Sequence, residues 1–317
     1  MIAVKNYKFW FCTGSQDLYG DECLAHVAEH SGIIVDSLNK SGILPYEVVW
    51  KPTLITNELI RRTFNEANAD EECAGVITWM HTFSPAKSWI LGLQEYRKPL
   101  MHFHTQFNQE IPYDTIDMDF MNENQSAHGD REYGHMVTRM GIERKVIVGH
   151  WSDEKVVGRI AAWMRTAVGI MESSHVRVAR FADNMRNVAV TEGDKVEAQM
   201  KFGWEVDAYP VNELAEYVKA VPKGDITALV DEYYSKYTIL PEGRDPEEFK
   251  RHVAVQAQIE AGLEKFLLEK DYHAIVTHFG DLGELQQLPG LAISSVSWKR
   301  DTDSAQRATG RRLPWSG

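Results

Sequence analysis

The sequence predicts an α/β protein made of two consecutive Rossmann-like/flavodoxin-like domains, each with a parallel sheet. Three observations predict it. Short apolar runs of strand length alternate with longer stretches of helical period, the mark of βαβ units. Runs such as KFWFC and GVITWM are apolar throughout, as in strands covered on both faces. The rhythm then breaks at Ser173-Ser174 and starts again, and 317 residues suit two domains.

The elements follow in order. KFWFC (8–12) reads as a buried strand that ends in the turn Thr13-Gly14-Ser15. A helical stripe through Leu24, Val27, Ile34 and Leu38 marks a helix over 22–39. YEVVW (46–50) is a second strand and 56–68 a second helix. GVITWM (75–80) is a third strand, with Ser84 as a candidate cap for a short helix over 86–95. PLMHFH (99–104) is a fourth strand, followed by a polar loop and a helix from about 126 to 140. KVIVG (145–149) and a long helix over 153–171 complete the first set.

The second set opens with HVRVARF (175–181) as a strand. A helix over 193–202, the strand WEVDAY (204–209), two helices through 236 and a charged helix over 246–269 follow. HAIVTHF (273–279) is the last strand. The expected domains are 1–173 and 174–293. Residues 297–317 show neither a helical period nor a strand alternation.

The net charge of −12 argues against nucleic acid and anionic membranes as partners. Cys12, Cys23 and Cys73 are too few and too scattered for a disulfide framework, so reduced thiols and a cytoplasmic location are expected. The first residues, MIAVKNYKFWFC, do not form a signal peptide, and no apolar run reaches the length of a membrane helix.

In such sheets ligands bind at the carboxyl ends of the strands, so the polar loops there are the places for chemistry. TGSQDLYG (13–20) follows a strand and precedes a helix, but is neither G-x-G-x-x-G nor a P-loop. Gln16, Asp17 and Tyr19 in it suit a hydroxylated, uncharged ligand such as a sugar; the alternative is a plain turn. HVAEH (26–30) matches the H-x-x-E-H zinc-peptidase pattern through His26 and His30, against a solvated helix face. His102 and His104 alternate on one side of a strand. They are either metal ligands, or one packed histidine and one that ends the strand. DMDFMNENQSAHG (117–129) sets Met118, Gln125 and His128 around a helix start, either a pocket or core Met with capping Asn. Asp117 and Asp119 are the nearest candidates for an acid/base pair.

Taken together, FWFCTGSQDLYG, GVITWMHTFSPAKSWI, FHTQFN, MDFMNENQSAHG, RFADNMRNVAVTEGDKVEAQMKFGW and LVDEYY resemble the L-arabinose isomerase family over essentially 1–293. The resemblance implies two α/β domains followed by a C-terminal β-rich domain. It implies conversion of L-arabinose to L-ribulose with a divalent metal, usually manganese, through an enediol. It also implies a homo-oligomer with active sites between subunits. Gln16, Leu18, Tyr19, Phe83, Met118, Gln125 and His128 would then face a neighbouring subunit's pocket, while Met185 and Phe279 would line the chain's own. The family's two glutamates and two histidines that hold the metal would all come after LPGLA (288–292). On this reading the chain carries no catalytic residue and no metal ligand of the family, and no metal is expected to bind it tightly.

After Ala292 the resemblance implies a segment like QRLMEKGYGFSAEGDWKTAALV. A codon choice for Ser295–Ser316, shifted by one base, spells that segment. The expectation is a frameshift near Ser294–Ser295, with the family's glutamate codon overlapping those of Gln306 and Arg307. The chain would then be inactive alone, lack the third domain, and have a disordered tail over 294–317. The rival reading is a non-catalytic, two-lobed sugar-binding protein.

Overall fold

A computed structural model describes residues 5–299 of the chain. Lys5–Met171 form one compact unit and the residues from Glu172 onward another.

In the first unit, β1 (Lys8–Gly14) leads through a 3-10 turn (Asp17–Tyr19) into α1 (Gly20–Lys40). β2 (Glu47–Leu54), α2 (Asn57–Ala69) and β3 (Cys73–Met80) follow. A 3-10 turn (Ala86–Trp89) runs into α3 (Ile90–Glu95), so the single helix expected over 86–95 is split. Then come β4 (Leu100–His104), α4 (Met118–Glu123), α5 (Ser126–Arg139), β5 (Lys145–Val148) and α6 (Glu154–Ser173). The strands are all parallel, in the order β2-β1-β3-β4-β5. This is the flavodoxin-like order, with its switch point between β1 and β3.

Strand alternation builds the core from both sides. Phe9, Phe11, Ile77, Trp79, Met101 and Phe103 face one way, onto Ile34 and Leu38 of α1 and Ile160 and Met164 of α6. Trp10, Cys12, Val76, Met80 and Leu100 face the other way, onto Ile60 and Phe64 of α2 and Tyr133 and Val137 of α5. Successive side chains point to opposite faces, so a five-residue apolar run feeds two cores at once. Each fully buried aromatic or aliphatic side chain contributes about 1.5–3 kcal/mol, and both faces are needed to offset the cost of ordering the chain. Thr56 caps α2 by accepting from the Leu59 N–H.

The second unit contains β6 (Arg177–Phe181), α7 (Lys195–Phe202), β7 (Glu205–Tyr209), α8 (Val211–Lys219), α9 (Lys223–Lys236), α10 (Pro246–Glu269), β8 (Ala274–Val276) and α11 (Gly290–Lys299). Its sheet is parallel, in the order β7-β6-β8. The core gathers Phe181, Leu214, Ile259, Leu263, Phe266 and Tyr272. Asp194 and Asp245 cap α7 and α10. Gly203 ends α7 with φ of 76° and lies against the Ser174 carbonyl, where a Cβ would stand 2.4 Å from that oxygen. Only glycine fits there.

Further stretches differ from the sequence expectation. α4 forms inside the polar loop expected before about 126. The strand over 273–279 is reduced to Ala274–Val276, because only Val178–Arg180 of β6 pair with it. No element was expected beyond 293, yet α11 continues to Lys299. Ala292 and Val296, four apart, both bury against the second core. The expected disorder over 300–317 lies outside the described residues. No helix among the described residues is long and apolar enough to cross a membrane.

Candidate functional site

The carboxyl ends of β1, β3 and β4 converge on one edge of the five-stranded sheet. Ser15 and Thr82, just past β1 and β3, share a hydrogen bond of 2.8 Å between their hydroxyls. Gly14 leaves room for this closure, since a Cβ there would lie 2.7 Å from Met80 Sδ. Gly129 does the same for α5. A Cβ would stand 2.9 Å from the Thr82 carbonyl oxygen and 3.0 Å from Met80 Cβ.

A cleft of about 940 Å³ opens beside these strand ends. Its walls include His104, Met118, Gln125, His128, Asp130 and Arg131. Apolar walls with a few aimed polar groups are the usual form of a small-molecule site. Met118, Gln125 and His128, singled out from the sequence, therefore come together here. Phe83 lies against His128, with ring centroids 4.7 Å apart. Gln16, Leu18 and Tyr19 sit in the β1–α1 turn and are not among the cleft residues. Leu18 is 81% exposed there. Met185 and Phe279 belong to the second unit. The Met185 N–H donates to Thr191 Oγ1 at 3.1 Å, and the exposed Phe279 ring stacks on His278.

His102 is the packed histidine of its pair and His104 ends β4, as one of the two sequence readings has it. Strand alternation brings their rings to 4.0 Å. His102 Nε2 lies 2.7 Å from Asp130 Oδ1. Burial lowers the His102 pKa to about 3 and raises that of Asp130 to about 7. His104 is also lowered, by burial first and by His102 next. Sequence reasoning missed Asp130, which stands 28 residues from His102. Its only sequence signal is its place beside Gly129 at the start of a helix already marked by His128.

Asp117 and Asp119 are not an acid/base pair. Asp117 Oδ1 accepts from the Phe120 N–H at 2.9 Å and caps α4, and Asp119 is exposed in the first turn. Paired acidic residues at a helix start complement its dipole. Gly14, the first glycine of TGSQDLYG, is used for close packing against Met80, Ser84 and Trp89.

A second histidine cluster was also missed as a cluster. His30, from the HVAEH pattern, lies 2.8 Å from His81, and Glu123 of α4 lies beside it. His81 had carried no sequence signal beyond its position at a strand end.

The manganese that the resemblance implies finds no matching donors after Ala292. Residues 293–317 contain neither glutamate nor histidine. No step is therefore derived through that metal from this chain.

Residues 3–175 match the family model for the L-arabinose isomerase N-terminal domain, and residues 177–299 match that for the L-arabinose isomerase central domain. Over 296 residues the chain is 56% identical to L-arabinose isomerase of Geobacillus stearothermophilus, covering 93% of this chain and 60% of that one. It is 54% identical to L-arabinose isomerase of Halalkalibacterium halodurans over the same shares of both chains. For the Clostridium beijerinckii protein the identity is also 54%, covering 59% of that relative. The chain thus spans about 60% of the length of these relatives. With two domain models matched in order along nearly all of its described length, the chain belongs to the L-arabinose isomerase family.

Proposed function

We propose that this chain supplies the sugar-contacting surfaces of an L-arabinose isomerase, an enzyme that interconverts L-arabinose and L-ribulose. One observation carries the reading: in a chain of this family, the cleft at the sheet's carboxyl edge brings Gln125 and His128 together beside Met118. A primary amide offers two donors and an acceptor, and an imidazole one of each, which suits the alternating hydroxyls of a pentose. The sulfur and aromatic groups of Met118 and Phe83 give apolar contact to the sugar's C–H faces. This surface, with Gln16, Leu18 and Tyr19, faces the pocket of a neighbouring subunit in a homo-oligomer. Met185 and Phe279 line the chain's own pocket. The exposure of Leu18 and Met118, 81% and 65%, supports a covered rather than a solvated role.

Deprotonation and binding of the family's metal, proposed as manganese, belong to the part of the longer relatives that this chain does not match. The 317-residue polypeptide alone is then inactive. Three free cysteines support a reducing, cytoplasmic setting. The test joins residues 1–292 in frame to the C-terminal part of the Geobacillus stearothermophilus relative and assays L-ribulose with manganese. Turnover is expected from the fusion but not from the unfused chain. His128→Ala in the fusion should lower kcat/KM at least about tenfold, the loss of one or two sugar hydrogen bonds. A fusion that assembles, binds manganese and leaves L-arabinose unchanged overturns the reading.

A further inference from the structure

We propose that His30, His81 and Glu123 form a binding site for a divalent cation of the zinc class, built by α1, the end of β3 and α4. All three ligands lie within residues 5–171, whereas those implied for the family's metal come after Ala292.

The argument begins on α1. Cys23, His26 and His30 are spaced by three and four residues and so share a helix face. β3 ends at Met80 and delivers His81 to the same place. α4, held by its Asp117 cap, brings Glu123. His30 Nδ1 lies 2.8 Å from His81 Nε2 and 3.3 Å from Glu123 Oε1. The other carboxylate oxygen is 3.5 Å from His26 Nδ1. One ligand atom from each of His30, His81 and Glu123 falls within 4.8 Å of the others. Around a tetrahedral ion with bonds near 2.0–2.1 Å, neighbouring ligand atoms stand about 3.3 Å apart. The His30–Glu123 edge already has that length. The His30–His81 edge has to open by roughly 0.5 Å to match it.

The chemistry suits the geometry. Two imidazoles and a carboxylate are the protein ligands of many zinc sites that keep a fourth position open. Burial lowers the pKa of both rings, which keeps them in the neutral form that ligates. The proton now shared between them moves to an outer nitrogen when the ion enters, so none need be released. That nitrogen belongs to the ring that carries the proton: Nε2 of His30 where His30 donates, Nδ1 of His81 where His81 donates. Aromatic walls orient both rings: Phe107 stacks on His30 with centroids 3.5 Å apart, and Trp79 on His81 at 4.4 Å.

The plainer account is a histidine–histidine hydrogen bond with a carboxylate nearby. It leaves Glu123, only 18% exposed, beside His26 and His30, and among the described residues no lysine or arginine forms an ion pair with it. A partly desolvated carboxylate calls for a cation. His26, 48% exposed, marks the solvent side from which an ion enters.

The test uses the full 317-residue chain, stripped with a chelator and titrated with Co²⁺, whose visible absorption reports tetrahedral coordination. One equivalent is expected to bind and to be displaced by Zn²⁺. Glu123→Gln and His30→Gln are each expected to weaken binding at least about tenfold. His104→Gln, in the other histidine cluster, is expected to leave it unchanged. Since His81 is buried, the partly exposed Glu123 and His30 carry the mutational test, and far-UV circular dichroism confirms that the variants keep the fold. Three results would overturn the site: no saturable Co²⁺ binding, affinity unchanged in both Glu123→Gln and His30→Gln, or binding abolished by His104→Gln instead.

Discussion

His102 Nε2 and Asp130 Oδ1 are 2.7 Å apart, and both side chains are buried. His104 closes the contact into a ring. Its Nε2 is 3.1 Å from His102 Nδ1, and its Nδ1 is 3.6 Å from Asp130 Oδ2. One proton assignment serves all three groups. Protonated Asp130 donates to His102 Nε2, His102 Nδ1–H donates to His104 Nε2, and His104 Nδ1–H faces Asp130 Oδ2. Burial favours this neutral arrangement over an ion pair, holding the Asp130 pKa up at about 7 and that of His102 down at about 3.

The pair makes stability insensitive to pH where each member alone would not. The raised pKa of Asp130 gives stability that is full below its unfolded value and is lost as pH rises toward 7. The depressed pKa of His102 gives stability that grows as pH rises from about 3 and is complete above its unfolded value. Between about pH 4 and 6.5 the two slopes oppose each other, and folding only moves one proton from histidine to aspartate. Asp130→Asn removes one slope. Its stability relative to the parent should fall as the solution is acidified through this window, by up to about 1.4 kcal/mol per pH unit. Urea unfolding of both proteins at several pH values measures it. A difference that stays constant with pH would show that Asp130 is ionised in the fold.

Gly129 sets how closely α5 approaches β3. An added Cβ would lie 2.9 Å from a backbone carbonyl, which cannot swing away as a side-chain tip would. Gly129→Ala should destabilise the chain by about 1–3 kcal/mol, the usual range for overpacking. It should also shift both of its neighbours, His128 and Asp130. Denaturant unfolding gives the first quantity and the histidine ring resonances the second. A neutral substitution would mean that α5 is not held against the strand.

Much of this fold was legible because strands and helices imprint their periods over many residues. β1 and β3 are continuous apolar runs, and α1 buries Val27, Ile34 and Leu38 of its helically spaced stripe. What was not legible depends on partners distant in sequence. Asp130 finds His102 only once α5 is laid over β4, and Glu123 finds His30 only once α4 faces α1. α4 itself spans six residues, too few for a period to show, and depends on its cap. The last strand is shorter than its apolar run because only Val178–Arg180 of β6 pair with it. α11 is hard to see in the sequence because Ala292, Ile293 and Val296, which pack on the second core, are too few to show a helical period. Asp117 and Asp119 were read as chemistry because nearby carboxylates look alike in sequence whether they cap or catalyse.

Those two aspartates can be told apart directly. Asp117 satisfies an otherwise unpaired N–H at the start of α4, whereas Asp119 points its charge into solvent. Asp117→Ala should cost about 1 kcal/mol, and Asp119→Ala less than about 0.5 kcal/mol. The comparison by urea unfolding needs only the ranking. Equal effects would remove the cap as the reason that α4 forms.

Gly262 and Gly158 offer the same contrast for helix packing. Gly262 lies in α10 where it meets α8. A Cβ would come within 2.7 Å of Val218 Cα and 2.8 Å of Val218 N, both backbone atoms. Gly158 is exposed within α6, and a Cβ there meets nothing within 4 Å. One chemical change therefore has opposite signs. Gly262→Ala must push α8 and α10 apart and should cost about 1–3 kcal/mol. Gly158→Ala only restricts the unfolded chain and should add about 0.5–1 kcal/mol. Hydrogen exchange separates the effects by place. Amides of α8 and α10 should exchange faster in the first variant, and those of α6 more slowly in the second. If Gly262→Ala leaves α8 and α10 protected, the close approach of these helices is not what holds the second core together.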